Sequence, residues 1–367
     1  MRKFFRVLHK WLSIPAGLII FIICLSGTML VFQDEIQEWA NPQRYFHEQT
    51  HEVPLPLEEL ILKANKQMTD NQVKNVKIYA DPAKNYAMGL AKGFRLTAYV
   101  NPYTGQIVEV YSPKESPFFW IMSLHRWLLD DTRTWGKYSV GIATLLFIVI
   151  LISGFVIWFP KRGKKNKFLV ETQKGSKRFY YDLHHVLGAY AFLVLLISAV
   201  TGTMWSFDWY RNGVYKLLGA EIPQQRSPEK TKKNRDAKVA FSSWQKVVDE
   251  LCTLNSDHEY VVVENGKALV HQKKAPTSRA SDKYKFDQQS GKIVSVELYN
   301  QQSYSSKIAG WYHDLHVGSY WGIWSKIFTF VAGLIGTSLP LTGYYIWWRK
   351  VKKKKSVLQK NNLKKSV

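Results

Sequence analysis

Four stretches of the chain are almost wholly apolar, and polar segments of very different length separate them. Each stretch has 22 residues and no charged side chain: Trp11–Phe32, Tyr138–Phe159, Val186–Phe207 and Ile327–Trp348. As a helix, such a stretch is about 33 Å long, which is enough to cross a hydrocarbon core of about 30 Å. A buried helix of a soluble protein is usually shorter and keeps a polar face. The pattern therefore predicts four membrane-spanning helices, with the first one retained rather than cleaved as a leader.

Two long polar segments follow the first and third apolar stretches, and each has the pattern of an α+β domain. Each opens on an amphipathic helical stretch, Leu57–Met68 in the first segment and Ser243–Leu254 in the second. Alternating apolar and polar residues then predict β-strands in both: Val73–Tyr79, Leu96–Val100, Gln106–Tyr111, Tyr260–Glu264, Tyr284–Phe286 and Lys292–Glu297. Each segment closes with a hairpin around a glycine turn. The charged stretch Pro223–Lys238 predicts a mobile loop.

The two halves of the chain resemble each other. Leu8-His9 precedes Ser26-Gly27 as Leu183-His184 precedes Thr201-Gly202, with 18 residues from histidine to glycine in both halves. The second and fourth apolar stretches match in the same way. Leu124-His125 leads to Ser153-Gly154 and Leu315-His316 to Thr342-Gly343, with spacings of 29 and 27 residues. The sequence therefore predicts an internal duplication in which each half consists of a span, an external domain and a span.

The net charge of +23 is concentrated next to the spans. Arg2–Lys10, Lys161–Arg178 and Arg349–Lys365 hold 21 of the 51 basic residues. Four spans put these three segments on one side of the membrane, which the positive-inside rule assigns to the cytoplasm, together with both termini. The basic charge is then a feature of topology that contacts the lipid bilayer, and no nucleic-acid partner is needed to explain it.

The sequence excludes several cofactor classes. There are two cysteines, Cys24 and Cys252, and no Cys-x-x-Cys-His. Covalent c-type haem, iron–sulfur clusters and clustered-cysteine zinc sites are therefore not expected. We find no intrinsic flavin or nicotinamide motif, and the cytoplasmic segments are too short for a nucleotide domain.

Six of the ten histidines lie at the start of a span or just before one: His9, His125, His184, His185, His313 and His316. Topology puts His9 and His184 or His185 at the cytoplasmic face, and His125 and His313 or His316 at the outer face. A noncovalent b-type haem takes axial imidazoles from facing helices across an apolar slot. The pattern predicts two haem b groups, with His9 and His184 ligating one iron and His125 and His316 the other. Ordinary interfacial histidines explain less well why four Leu-His pairs recur in register, two at each face. Divalent-metal transport is a weaker use of the same residues, because no Asp or Glu lies in the spans.

The sequence leaves alternative roles open for several residues that neighbour the candidate ligands. His185 points about 100° away from His184 on a helix. His313 shares a face with His316, and it is either a haem-propionate partner or a substitute ligand. Asp182 and Asp314 are expected to cap helix N-termini. Lys10 and Arg126 could pair with haem propionates or with lipid phosphates, and the glycine of each Ser/Thr-Gly dipeptide would bring backbone close to whatever lies at its level.

Four motifs carry a resemblance to a known family: Asn-Pro-Tyr-Thr-Gly at 101–105, Leu-His-Arg-Trp-Leu at 124–128, Asp-Leu-His-His-Val-Leu-Gly at 182–188 and Leu-Thr-Gly-Tyr-Tyr-Ile-Trp-Trp at 341–348. They resemble the PepSY-associated transmembrane helix family over nearly the whole chain. Some members of that family are inner-membrane siderophore reductases with two b-type haems. The resemblance implies a four-span α-helical membrane protein with two external α+β PepSY-like domains.

The expected organisation follows from the spans and the resemblance, in eight parts: a first span with its cytoplasmic N-terminus (1–33), a periplasmic PepSY-like domain (34–118), an interfacial segment and second span (119–160), a basic cytoplasmic loop (161–181), a third span (182–207), a second periplasmic PepSY-like domain (208–306), an interfacial segment and fourth span (307–348), and a basic cytoplasmic tail (349–367).

The resemblance also implies an activity. The expected protein is a ferric-chelate (siderophore) reductase of the bacterial inner membrane, whose acceptor is a ferric siderophore or related iron chelate. Membrane quinol or a separate cytoplasmic reductase would supply its electrons. The alternatives are a membrane-anchored PepSY module that binds peptides or regulates a peptidase without redox activity, and a quinol-linked cytochrome with another acceptor.

Overall fold

The computed structural model describes residues 1–48, 53–68, 70–159, 168–173, 175–223 and 241–363. The predicted loop Pro223–Lys238 lies outside these ranges except for Pro223, and so do residues 161–167 and 174 of the basic loop. The chain divides into two compact units. The membrane unit consists of residues 1–31, 120–214 and 312–367, and the sheet unit of residues 32–119 and 215–311.

The described helices are numbered in chain order as α1 (Arg2–Leu30), α2 (Gln33–Ala40), α3 (Pro42–Tyr45), α4 (Leu57–Gln67), α5 (Pro117–Trp127), α6 (Trp135–Trp158), α7 (Gly175–Ser206), α8 (Asp208–Leu217), α9 (Ser242–Leu254), α10 (Tyr304–Val317) and α11 (Ile323–Leu363). Four of them, α1, α6, α7 and the part of α11 up to Lys352, are long and apolar enough to cross a membrane. The prediction of four spans is confirmed.

The four long helices pack in a ring. α1 contacts α6 and α11, and α7 contacts the same two helices, so α1 and α7 are diagonal neighbours. Small residues allow close approach between helices, as is usual in membranes. A Cβ atom at Gly17 would lie 2.6 Å from the Tyr344 hydroxyl oxygen, and that hydroxyl donates to the Ile14 carbonyl at 2.6 Å. α1 and α11 are therefore held together by packing and by a hydrogen bond.

Two short helices, α5 and α10, precede the second and fourth spans. The loop after α5 is ordered by Asp130, which is 6% exposed. Its carboxylate accepts hydrogen bonds from the backbone N–H groups of Thr134 (2.9 Å) and Gly136 (3.0 Å) at the start of α6. Asp130 thus satisfies orphan donors at the α6 N-terminus and fixes the connection between α5 and the span.

The capping prediction for Asp182 and Asp314 is wrong. Asp182 lies inside α7 and is 2.7 Å from the Arg178 guanidinium, and Asp314 lies inside α10 with its carboxylate 3.0 Å from His313 Nδ1. The prediction equated the onset of apolar sequence with the helix start. Lys and Arg are good helix formers, so α7 begins a full two turns earlier, within the basic segment.

The sheet unit contains one antiparallel eight-stranded sheet. Its strands are β1 (Val73–Tyr79), β2 (Tyr86–Leu90), β3 (Thr97–Val100), β4 (Ile107–Tyr111), β5 (His258–Glu264), β6 (Lys267–Gln272), β7 (Asp282–Phe286) and β8 (Ile293–Glu297). Their order is β4-β3-β2-β1-β5-β6-β7-β8. The strands of the two predicted external domains therefore belong to a single sheet, joined where β1 pairs with β5 from Asn75↔Glu264 to Tyr79↔Tyr260.

The core of the sheet unit lies between the sheet and α4 with α9. Leu60, Trp244, Leu251 and Val263 are each 0% exposed and belong to one apolar cluster. The Leu57 N–H donates to Gln245 Oε1 at 2.8 Å, which ties the start of α4 to α9. Both predicted glycine turns are present, with Gly105 at φ 74° and Gly291 at φ 71°, a region that favours glycine.

Candidate functional site

The structure brings four of the six candidate histidines together as two pairs within the membrane unit. The first pair is His9 of α1 and His184 of α7, with ring centroids 6.2 Å apart and planes at 83°. The second pair is His125 of α5 and His316 of α10, with centroids 6.0 Å apart and planes at 53°. Two imidazoles bound to opposite sides of one metal ion through bonds of about 2 Å have ring centres about 6 Å apart. Both pairs have that spacing.

The pairs lie at opposite ends of the helix bundle. His125 contacts Ser26, which follows His9 by seventeen positions on α1. At 1.5 Å per residue the two levels are separated by about 26 Å along the helix, close to the thickness of a bilayer core of about 30 Å. The first pair spans the bundle diagonally, because α1 and α7 are not ring neighbours.

Nδ1 of each paired imidazole is hydrogen-bonded to a different helix. His9 bonds to the Ile150 carbonyl at 3.0 Å, His125 to the Ile23 carbonyl at 2.9 Å and His316 to the Ser198 carbonyl at 2.8 Å. A carbonyl can only accept, so Nδ1 carries the proton and Nε2 carries the lone pair. Within the described residues no hydrogen bond involves Nε2 of these rings. Each ring therefore presents the nitrogen that a metal would bind.

In His184, the hydrogen-bond partner of Nδ1 is a hydroxyl oxygen. Its Nδ1 lies 2.9 Å from Thr342 Oγ1. The single proton of that hydroxyl is directed at the carbonyls of Ser338 and Leu339, each 3.0 Å away, which leaves its oxygen to accept from the imidazole. Nδ1 of His184 is therefore protonated as well.

Hydroxyls also approach the other three imidazoles. Ser153 Oγ lies 3.1 Å from His9 Nδ1, Ser26 Oγ 3.3 Å from His125 Nδ1, and Thr201 Oγ1 3.3 Å from His316 Nδ1. Each hydroxyl donates to a carbonyl of its own helix, which leaves its oxygen as an acceptor. The sequence singled out these dipeptides for their glycines. The hydroxyl was missed, although a Ser or Thr before each glycine was the signal for it.

The glycine of each dipeptide lies against an imidazole. A Cβ atom built on Gly27 would lie 2.8 Å from His125 Cε1, one on Gly202 2.9 Å from His316 Cε1, and one on Gly154 3.0 Å from His9 Cε1. The corresponding distance from Gly343 to His184 Cε1 is 3.5 Å. What lies at the level of each glycine is therefore a histidine ring.

The two remaining candidates lie outside the pairs. The His185 ring is 4.3 Å from the ring of Tyr181 on the same helix. His313 Nδ1 is 3.0 Å from Asp314 Oδ1. Lys10 and Arg126 lie over the rings of Trp11 and Trp127, at 4.6 and 5.3 Å from the ring centroids.

Trp205 is a site residue that the sequence analysis did not single out. Its ring is 5.1 Å from that of His316 and 4.8 Å from that of Tyr312. The signal for it was its position three residues after Gly202, which places both on one face of α7. Trp205 packs beside the second pair.

The second pair lies on α5 and α10, outside the four spanning helices. Burial lowers the pKa of His125 to about 4 and the pKa of His316 to about 3. Burial disfavours the charged form of an imidazole, so both rings are neutral at neutral pH. Neutral imidazole is the form that ligates metals.

The donor set fits haem better than a metal ion held by protein alone. Among the described residues, no group of three or more His, Cys, Asp or Glu side chains could hold a metal ion. Zinc sites use three or four protein ligands. Haem provides four nitrogens itself and needs only axial ligands from the protein. Two neutral imidazoles with spacing of 6 Å and unshared Nε2 lone pairs meet that need.

Comparison with known families gives one match. The family model described as the PepSY-associated TM region matches residues 6–350. A comparison with curated proteins found no match.

Proposed function

The chain belongs to the PepSY-associated TM family, and on that premise we propose that it is a transmembrane electron-transfer protein with two haem b groups. The observation that supports this most strongly is the presence of two imidazole pairs at opposite ends of the bundle, each with a centroid spacing near 6 Å and with no hydrogen bond to Nε2 from the described residues. One pair would serve a single face of the membrane. Two pairs connect both faces.

Each of the two histidine pairs would hold one haem. His9 and His184 would hold one haem, and His125 and His316 the other. When bound, a haem supplies one-electron chemistry at its iron. With two imidazoles to hold each haem, both sites would be suited to electron transfer rather than to oxygen binding. The hydrogen bond at Nδ1 holds each ring in the tautomer that leaves Nε2 to bind the iron.

Orientation follows from the basic segments. We place both termini and the first pair at the cytoplasmic face of a bacterial inner membrane, and the second pair and the sheet unit on the periplasmic side. The α4–β1–β2–β3–β4 and α9–β5–β6–β7–β8 segments have the same element order. We interpret them as two PepSY-like repeats from an internal duplication.

The acceptor we propose is a ferric siderophore or a related iron chelate. Such chelates hold Fe(III) through hard oxygen ligands, and reduction to Fe(II) weakens that binding and releases the metal. Each turnover moves one electron from the protein to one Fe(III). The sequence has no flavin or nicotinamide motif, so membrane quinol or a separate cytoplasmic reductase supplies the electrons.

A membrane-anchored PepSY module without redox activity is the alternative. Such an anchor has no use for four imidazoles from four helices, each hydrogen-bonded at Nδ1 to another helix. The pairing therefore favours the redox function.

Anaerobic reoxidation tests the proposal. Dithionite-reduced protein, freed of excess reductant, should be reoxidised by a ferric trihydroxamate chelate, with one Fe(II) appearing in a ferrous-specific chelator for each haem oxidised. His125→Ala/His316→Ala should lose this reaction, while His313→Ala should keep it. If ferric chelates leave the reduced haem unchanged and another acceptor oxidises it, the protein is a cytochrome with a different partner.

A further inference from the structure

Helices α1 and α7 each contact both imidazole pairs. α1 carries His9 near one end and Ser26-Gly27 near the other, and Ser26-Gly27 contacts His125 of the second pair. α7 carries His184 and, further along, Thr201-Gly202, which contacts His316. A dipeptide on these helices therefore belongs to the pair at the opposite end from the histidine on the same helix.

The spans α6 and α11 complete the arrangement. Ser153-Gly154 on α6 contacts His9, and Thr342-Gly343 on α11 contacts His184. Every paired imidazole thus meets a hydroxyl at its Nδ1 and a glycine at its Cε1, both from one dipeptide. These two contacts limit rotation of the ring about its Cβ–Cγ bond and fix the tautomer.

We propose that the four Ser/Thr-Gly dipeptides are positioning residues, which hold each imidazole so that its Nε2 faces its partner across the haem iron. This rests on the proposed function. The four contacts are unequal. Both rings of the second pair meet a glycine at under 3.0 Å, whereas in the first pair His9 has a close contact and His184 an ordinary one at 3.5 Å. The second pair is therefore the more tightly constrained site.

Alanine at these glycines separates a positioning role from a structural one. Alanine has the higher helix propensity, so the substitution does not weaken the helix itself. The atom that meets the new methyl group is the end of a histidine side chain, which can move. The bundle should therefore stay folded while the ring leaves its position.

The experiment measures haem content, reduced optical spectra and the low-temperature EPR spectrum of the ferric protein for four variants of the full chain. Gly27→Ala and Gly202→Ala should each lose or shift the signals that His125→Ala/His316→Ala removes. Gly154→Ala should affect the signals that His9→Ala/His184→Ala removes. Gly213→Ala in α8 is the matched control, because a Cβ there would meet nothing within 4 Å, and it should leave both sets of signals unchanged.

The outcomes separate this inference from the proposed function. A wild-type protein without haem would overturn both. With haem-loaded wild type, the positioning role alone would be overturned if Gly27→Ala were silent, if it altered the His9–His184 signals instead, or if Gly213→Ala were as damaging as the others. Circular dichroism and gel filtration establish that each variant is folded.

The hydroxyls allow a second test, which does not rely on steric contact with the imidazole. Thr342→Val removes the acceptor for His184 Nδ1 at nearly constant volume. A weaker hydrogen bond at Nδ1 makes the imidazole a poorer donor to the ferric state, so the midpoint potential of the first site should rise. Thr342→Ser should restore it. Equal potentials in wild type, Thr342→Val and Thr342→Ser would overturn the role of the hydroxyl.

Discussion

In each paired imidazole, Nδ1 is hydrogen-bonded to another helix, which leaves Nε2 as the nitrogen that can bind a metal. Where two candidate histidines are neighbours in the sequence, the pairing shows which of them is the candidate ligand. His184 and His185 are adjacent in sequence, but helix geometry turns their side chains about 100° apart. His184 faces His9 across the bundle, while His185 stacks near Tyr181 on its own helix. The recurring Leu-His motif was enough to predict which member of the doublet pairs. It could not predict the hydrogen bond at Nδ1, because the acceptors belong to other helices.

His184→Ala should therefore remove one haem, and His185→Ala should remove none. The reason is that the His184 ring pairs with that of His9, whereas the His185 ring lies against Tyr181. Haem per protein, from pyridine haemochrome absorbance, measures the difference. Equal loss in both variants would contradict the assignment.

The same comparison at the second pair uses His316→Ala and His313→Ala. His316 pairs with His125, whereas His313 is held by Asp314. We expect haem loss in His316→Ala and retention in His313→Ala, measured by the reduced-minus-oxidised spectrum. A haem-free His313→Ala protein would make His313 the ligand or an essential support for it.

The helices and strands follow from sequence pattern, whereas their assembly does not. The amphipathic stretches Leu57–Met68 and Ser243–Leu254 correspond closely to α4 and α9, because burial of one face fixes their period. The pairing of β1 with β5 joins segments far apart in the chain. Alternating strands of this kind are compatible with many partners, so local pattern does not select one.

Because α9 packs one face into the core of the sheet unit, alanine substitutions of two leucines on this helix should have different effects on stability. Leu251 is 0% exposed, and Leu254 on the same helix is 66% exposed. Leu251→Ala should lower the free energy of unfolding by about 2–5 kcal/mol, since it removes buried methyl groups and leaves a cavity. Leu254→Ala should change it by less than about 0.5 kcal/mol.

Denaturant unfolding in detergent, followed by tryptophan fluorescence, measures both variants, and Trp244 reports from the same core. Equal effects from Leu251→Ala and Leu254→Ala would mean that α9 does not bury the face described.

At the scale of the whole molecule, two compact units divide the chain, and each is assembled from segments far apart in the sequence. The four spans were readable from hydropathy, because lipid excludes charged stretches. The single sheet was not, because it requires the two polar segments to meet. The orientation remains a prediction from the basic segments.

Reporter fusions test that orientation. Green fluorescent protein at the C-terminus should fluoresce, because that end is predicted to be cytoplasmic, and alkaline phosphatase inserted after Glu297 should be active. A dark C-terminal fusion with an inactive internal phosphatase would reverse the topology and with it the assignment of the first pair to the cytoplasmic face.

The central claim is that the two imidazole pairs hold two haems, and the optical spectrum of the purified protein, oxidised and dithionite-reduced, tests it most directly. After expression with haem supplementation, we predict a six-coordinate b-type spectrum with two haems per chain, and one haem in either His9→Ala/His184→Ala or His125→Ala/His316→Ala. A colourless wild-type protein, or one whose haem content is unchanged in both double variants, would contradict the account.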